Sequence, residues 1–226
     1  MTGDPRERSE AVYLLLAGLF LGSLIVCNLV ANKFLTVDLG FKTFVLSAGA
    51  LPYPLTFLVT DLLSEIYGRR RADRVVQVGF VVSLFVLGVL WLGSRFPAVE
   101  GSIVDDATYE RVFHSAWRVM AASMTAYLAA QFADIRLFHF WKRLTGGRHL
   151  WLRNNGSTLV SQFLDSSLVV LVLFAGVWSG ERIVDTVLDL WLFKALVALA
   201  DTPFFYLGTW LLRPFALERT EAGACC

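Results

Sequence analysis

Six long apolar segments alternate with short polar stretches along the chain. They cover residues 11–31, 45–67, 75–94, 115–135, 157–178 and 187–212. Each is close to the ~20 residues that a helix needs to cross the hydrocarbon layer of a bilayer. The pattern predicts an all-α polytopic membrane protein, a six-transmembrane-helix bundle over residues 11–213 with short tails at 1–10 and 214–226.

The start of the second segment is irregular, because Tyr53 stands between Pro52 and Pro54 in "GALPYPLTF". Proline lacks a backbone N–H and cannot donate within a helix. The segment therefore predicts either an interrupted helix of the kind that lines transport sites or a plain loop leading into a helix.

Basic residues collect on one side of the predicted bundle. That side carries Arg6, Arg8, Arg69, Arg70, Arg71, Arg74, Lys142, Arg143, Arg148, Arg153, Arg213 and Arg219. The opposite side has only Lys33, Lys42, Arg95, Arg111 and Arg182. Because Lys and Arg are enriched in cytoplasmic loops, both termini are expected in the cytoplasm.

Composition excludes two classes of protein. Hydrophobic residues make up 56% of the 226 residues and charged residues 17%, too few polar side chains to cover a soluble domain. A net charge of +1 without a basic block argues against a nucleic-acid partner. The three cysteines, Cys27, Cys225 and Cys226, imply no disulfide framework.

Charged and amide side chains interrupt several apolar segments. A charge near the bilayer centre costs about 2.5–3.5 kcal/mol on insertion scales, so such groups normally face the bundle interior. Helical spacing places Thr158, Gln162 and Asp165 on one stripe of the fifth segment. The simplest arrangement directs this stripe, and similar ones on other segments, at a common cavity.

Structural alternatives remain open for most of these groups. Asp61 and Glu65 either face the cavity or pair with arginines of the adjacent "GRRR" loop. Arg118 and Asp134 lie near the predicted ends of the fourth segment, from where they could reach water. Asp165 and Lys194 lie deep in their segments, which favours a functional role over a purely structural pair.

A carboxylate beside an amide suits a planar heterocycle with adjacent N–H groups, such as a guanine-like base, because the carboxylate accepts two parallel hydrogen bonds. Aromatic side chains such as Phe57, Tyr127 or Phe163 could stack on the ring. The same groups also suit amino acids, guanidines or a proton relay.

Several stretches, in order, resemble one known family. They are "SLIVCNLVANK", "LPYPLTFLVTDLLSEIYG", "RRRADRVVQVGF", "AASMTAYLAAQFADIRLF", "NNGSTLVSQFLDSS" and "FKALVALADTPFFYLG". Together they make the chain, from Leu24 to Gly208, similar to the queuosine precursor transporters, a vitamin-uptake family. The resemblance implies six helices, residence in the bacterial cytoplasmic (inner) membrane, and import of 7-deazaguanines such as preQ0, preQ1 or queuine.

The resemblance also implies a set of substrate-binding residues, with no catalytic residue, metal or cofactor. Matched by position, they are Asn28, Asp61, Glu65, Gln131, Asp134, Ser157, Thr158, Gln162, Asp165 and Lys194. In this interpretation Asp165 accepts the ring N–H and the amine, and Gln162 meets the other edge of the base. Lys194 holds Asp165 ionised in the empty site.

Alternatives of other classes remain. No P-loop occurs, so movement is expected to be facilitated, coupled to an ion, or driven by a partner. A binding-only subunit of a multi-component vitamin importer, or a carrier of another nitrogen heterocycle, fits the same pattern. An enzyme is disfavoured because no nucleophile motif or H-E-x-x-H occurs. Small residues in the fourth segment suit packing within the bundle or a homodimer: Ala121, Ala122, Ala126, Ala129 and Ala130.

Overall fold

Helices dominate the structure, a computed structural model that describes residues 5–30, 33–38, 40, 43–114, 117–174, 176 and 178–215. The α-helices are α1 Pro5–Val30, α2 Tyr53–Ile66, α3 Arg69–Gly93, α4 Asp106–Tyr109, α5 Trp117–Leu144, α6 Leu150–Phe174 and α7 Gly180–Leu212. Short 3-10 turns lie at Ala48–Ala50 and Arg213–Phe215, and a π-helical turn lies at Glu110–His114. The helical expectation is confirmed. Cys225 and Cys226 lie outside the described residues.

A β-hairpin before α2 was not predicted. Strands β1, Phe34–Asp38, and β2, Thr43–Ser47, pair antiparallel, with Asp38 opposite Thr43. At the turn, Gly40 has a φ of 82° and its N–H donates to Asp38 Oδ1 at 2.9 Å. The expected helix over 45–67 is therefore wrong for its first eight residues, because a short apolar run of β-branched and aromatic residues forms a strand as readily as a helix.

Helix α2 is short, and proline determines where it begins. Pro52 is its N-cap and Pro54 lies in the first turn, where a missing N–H costs nothing since the first amides of a helix have no intrahelical partner. The prolines thus start a helix and do not kink one. With 14 residues, α2 is roughly 21 Å long, less than the ~30 Å hydrocarbon layer.

The helices pack around a core that joins α1, α2, α3, α5 and α7. Its large buried side chains include Phe20, Phe57, Leu63, Val76, Phe138 and Phe205. Glycine permits one close contact in this core, because a Cβ at Gly79 on α3 would lie 2.9 Å from Phe20 Cε1 on α1. The most extensive packing joins α5 to α6 and α6 to α7.

The outer surface is apolar. Leu14 on α1, Phe85 on α3 and Trp210 on α7 are each more than 60% exposed. Soluble monomers rarely expose such continuous apolar faces. Among the described residues, two helices are long and apolar enough to cross a membrane, Arg6–Val30 and Arg69–Gly93. These exposed faces are suited to contact with lipid.

The alanines of α5 point in different directions. Ala126 and Ala130 are buried within the bundle, and Ala129 is exposed. The side chains of Ala121 and Ala122 lie outside the described part of the chain. Packing inside the bundle therefore accounts for two of the small residues.

Candidate functional site

A cavity of about 460 Å³, counting its open mouth, lies between α2, α6 and α7. Its polar lining residues are Tyr53, Asp61, Asn154, Thr158, Gln162, Lys194 and Asp201. Of the residues predicted from sequence, Phe57, Asp61, Thr158, Gln162 and Lys194 line it. Three helices, α2, α6 and α7, thus contribute polar side chains to one cavity.

Aromatic side chains form one wall of the cavity. Tyr53 and Phe57, one turn apart on α2, both line it, with their ring centroids 5.2 Å apart. Tyr127 of α5 packs behind them, 5.2 Å from Tyr53 and 5.8 Å from Phe57. Tyr127 therefore supports the aromatic wall without lining the cavity.

The predicted pairing of Asp165 with Lys194 is present. Lys194 Nζ on α7 donates to Asp165 Oδ2 on α6. The hydroxyl of Tyr53 donates to the same oxygen at 2.7 Å, and Lys194 Nζ lies 4.5 Å from the centre of the Tyr53 ring. Three helices thus meet at one carboxylate oxygen, and the charges of both residues are matched.

Asp165 is 2% exposed and does not line the cavity, whereas Lys194 and Tyr53 do. Its Oδ1 receives no hydrogen bond from the described residues. The arrangement makes Asp165 the group that positions Lys194 and Tyr53 at the cavity wall.

Two buried acceptor atoms on cavity-lining residues lack a partner. Neither Gln162 Oε1 nor Asp61 Oδ1 receives a hydrogen bond from the described residues. Both residues are at most 2% exposed. An unsatisfied buried acceptor costs about 1–3 kcal/mol, so these two oxygens are suited to N–H groups of a bound molecule.

A second polar cluster lies next to the cavity, between α2, α5 and α6. Asp134 Oδ1 accepts a hydrogen bond from Ser161 at 2.9 Å, and Gln131 Nε2 donates to the hydroxyl of Thr60. Gln131 and Asp134 are fully buried and do not line the cavity. The alternative that Asp134 reaches water is wrong, because its side chain is fully buried within the bundle. The side chain of Arg118 lies outside the described part of the chain.

Asp61 links the two polar regions, because it lines the cavity and also lies within hydrogen-bonding distance of Asp134. Two adjacent carboxyl groups in a low-dielectric interior cannot both carry a charge without a large penalty. The pair is therefore stable when the two groups share one proton.

Glu65 of α2 lies away from the cavity, close to the C-terminal end of α5 and the N-terminal end of α6. Its Oε2 is 2.7 Å from Lys142 Nζ, and its Oε1 is 2.6 Å from a guanidinium nitrogen of Arg153. Two of the expected alternative partners pair elsewhere: Arg71 bonds to Glu10 at 2.7 Å and Arg69 to Asp73 at 3.3 Å. Glu65 holds helix ends together in this conformation.

Two other predicted residues bond to their own helices. Asn28 Nδ2 donates to the carbonyl of Leu24 at 2.9 Å, and the Ser157 hydroxyl donates to the carbonyl of Asn154 at 3.1 Å. Neither lines the cavity. Ser157 also lies near the Asp134 carboxyl group.

Three polar cavity residues were not predicted as site residues from the sequence: Tyr53, Asn154 and Asp201. Tyr53 stood out only through its flanking prolines, and Asn154 lies before the predicted start of the fifth segment. Asp201 lies two turns from Lys194 on α7. Its position inside an apolar segment was a signal equal to that of Lys194.

Comparison with known proteins places the chain in a family. Residues 47–208 match the family described as "Putative vitamin uptake transporter". The "Probable queuosine precursor transporter" of Bacillus subtilis (strain 168) is 32% identical over 193 residues, 84% of this chain and 82% of that protein. The "Queuosine precursor transporter" of Escherichia coli (strain K12) is 27% identical over 164 residues, which are 71% of this chain and 70% of that protein. No solved structure matches the chain.

Proposed function

The chain belongs to the vitamin uptake transporter family, and we propose that it imports queuosine precursors, 7-deazaguanines such as preQ0, preQ1 or queuine. The names of the relatives from Bacillus subtilis and Escherichia coli support this substrate class. The imported base would serve salvage of queuosine in transfer RNA.

The observation that carries the proposal is the pair of unpartnered acceptors at the cavity. A guanine-like base presents a ring N–H and an exocyclic amine on one edge, both of which are donors. Gln162 Oε1 and Asp61 Oδ1 are buried acceptors without partners among the described residues. Lys194 supplies a donor for the base carbonyl, and Phe57 with Tyr53 supplies an apolar face for the ring.

The proposal assigns Asp165 a positioning role. Sequence reasoning assigned it direct recognition of the base, but its Oδ2 is already bonded to Lys194 and Tyr53. Asp165 would therefore hold Lys194 and Tyr53 in position. Gln162 and Asp61 would accept hydrogen bonds from the base. Four residues behind the cavity wall would support this arrangement: Gln131, Asp134, Ser157 and Tyr127.

Six helices, α1, α2, α3, α5, α6 and α7, would account for six crossings of the bacterial inner membrane, with both termini in the cytoplasm. The distribution of Lys and Arg supports that orientation. Because α2 is too short to cross alone, the hairpin before it would complete the second crossing on the outer side.

The test is uptake in cells that can neither make nor import these precursors, read as queuosine in transfer RNA. Wild type should restore the modification with at least one of the three compounds. Gln162→Leu should lower the response, since it removes a cavity acceptor. Asp185→Asn, an exposed site of α7 outside the cavity, is the matched control. Absence of queuosine with wild-type protein in the membrane would refute the substrate class.

A second measurement separates transport from the alternatives. Purified protein in liposomes should accumulate the precursor without another protein, and the compound recovered inside should be chemically unchanged. Dependence on an added partner would identify a binding subunit instead, and a modified product would identify an enzyme.

A further inference from the structure

Asp201 differs from the other acidic residues near the cavity because it has no described partner. Asp165 is bonded to Lys194 and Tyr53, and Asp61 lies beside Asp134. Asp201 lines the cavity yet makes no hydrogen bond or ion pair with the described residues. A half-buried carboxylate without a partner is costly, so its retention in an apolar helix points to a ligand.

The position of Asp201 is fixed by its neighbours. The next residue, Thr202, exchanges two hydrogen bonds with Asn155 on α6, at 2.9 and 3.0 Å. This contact brings Asp201 and Asn154 to the same cavity from adjacent helices. Their carboxylate and amide oxygens are acceptors, so this part of the cavity is suited to a positively charged group.

The cavity therefore has two chemically distinct parts along α7. Lys194 and Asp201 are seven positions apart, roughly 10 Å along the helix axis. Lys194, whose charge is matched by Asp165, lies near Tyr53 and the aromatic wall. Asp201 provides an unmatched negative charge at a distance from it. A ligand that spans both parts would carry a planar ring at one end and a cation at the other.

We infer that Asp201 binds the ammonium group of the substrate and makes the carrier prefer 7-deazaguanines with a cationic arm over those with a neutral one. This inference rests on the proposed function. preQ1 carries an aminomethyl arm that is protonated at neutral pH, as a lysine side chain is. preQ0 carries an uncharged nitrile at the same ring position, so the two compounds differ mainly in the group that Asp201 would meet.

The experiment compares the two compounds in wild type and Asp201→Asn at matched membrane abundance. Concentrations for half-maximal uptake are measured separately for preQ1 and preQ0. Loss of a hydrogen bond to a charged group should raise the preQ1 value about tenfold or more, while the preQ0 value stays within about twofold. Uptake of preQ0 by Asp201→Asn also shows that the variant is folded, and Asp185→Asn should match wild type for both compounds.

Three outcomes would overturn the inference. Equal loss of preQ1 and preQ0 uptake would assign Asp201 to folding or to ion coupling. No change for either compound would show that the carboxylate does not contact the substrate. Absence of uptake by the wild type would refute the proposed function itself, whereas wild-type uptake without a selective effect of Asp201→Asn refutes only the inference. Should Asp201→Asn fail to accumulate, Asp201→Glu is the second variant, expected to retain the preference for preQ1.

Discussion

The chain contains the spacing Gln-x-x-Asp twice within its bundle, and the two copies meet different surroundings. Gln131 and Asp134 on α5 are enclosed between α2 and α6, where they bond to the hydroxyls of Thr60 and Ser161. Gln162 lines the cavity on α6, and Asp165 is ion-paired with a lysine.

The Gln-x-x-Asp spacing sets only which helical face a pair shares. The neighbouring helices decide its chemistry. The α5 pair meets hydroxyls and a second carboxyl group, Asp61, so it is compatible with a shared proton. The α6 pair meets a lysine and an open volume, so its carboxylate is ion-paired and its amide is available to a ligand.

The largest expected difference between the copies is in stability. Asp165→Asn leaves the partly buried Lys194 ammonium without its counter-charge, which should cost up to about 3–5 kcal/mol. Thermal unfolding of the purified protein in detergent should show a large fall in the midpoint, together with low membrane abundance. Adding Lys194→Met should recover most of the midpoint, because no uncompensated charge remains. A double variant no more stable than Asp165→Asn would contradict the assignment of this pair.

An intermediate difference is expected in ligand affinity, where the two glutamines serve as each other's control. Gln162→Leu removes an acceptor from the cavity and should weaken precursor binding roughly tenfold, equivalent to about 1.4 kcal/mol. Gln131→Leu should leave affinity nearly unchanged and lower only stability. Calorimetric titration of the purified carrier measures both. Equal losses of affinity would mean that the α5 copy also contacts the substrate.

The smallest effect is expected for Asp134→Asn. The amide closely resembles a protonated carboxyl group and can still bond to Asp61 and Ser161, so the stability change should stay within about 1 kcal/mol. The unfolding midpoint, measured beside Asp165→Asn, checks this. A midpoint lowered as far as in Asp165→Asn would indicate that Asp134 is fully ionised in the folded protein.

Much of the helical layout could be predicted, because α1, α3 and α7 consist mainly of apolar residues over a length that periodicity identifies. The hairpin could not, since the apolar run Phe44, Val45 and Leu46 is compatible with either a strand or a helix. The pairing of Asp165 with Lys194 was foreseeable because a charge deep in an apolar segment requires a partner. The proximity of Asp61 to Asp134 could not be predicted from the sequence, because it depends on how α2 and α5 pack.

Because α2 is short, its insertion into the membrane would depend on its neighbours. A nascent segment partitions from the translocon into lipid according to its own hydrophobicity. Of its 14 residues, Asp61 and Glu65 are acidic and Thr56, Thr60 and Ser64 carry hydroxyls, so α2 would partition poorly alone. Its flanking helices, Arg6–Val30 and Arg69–Gly93, are long and apolar. α2 would thus be retained at the lateral gate until α3 emerges and enter the bilayer together with it.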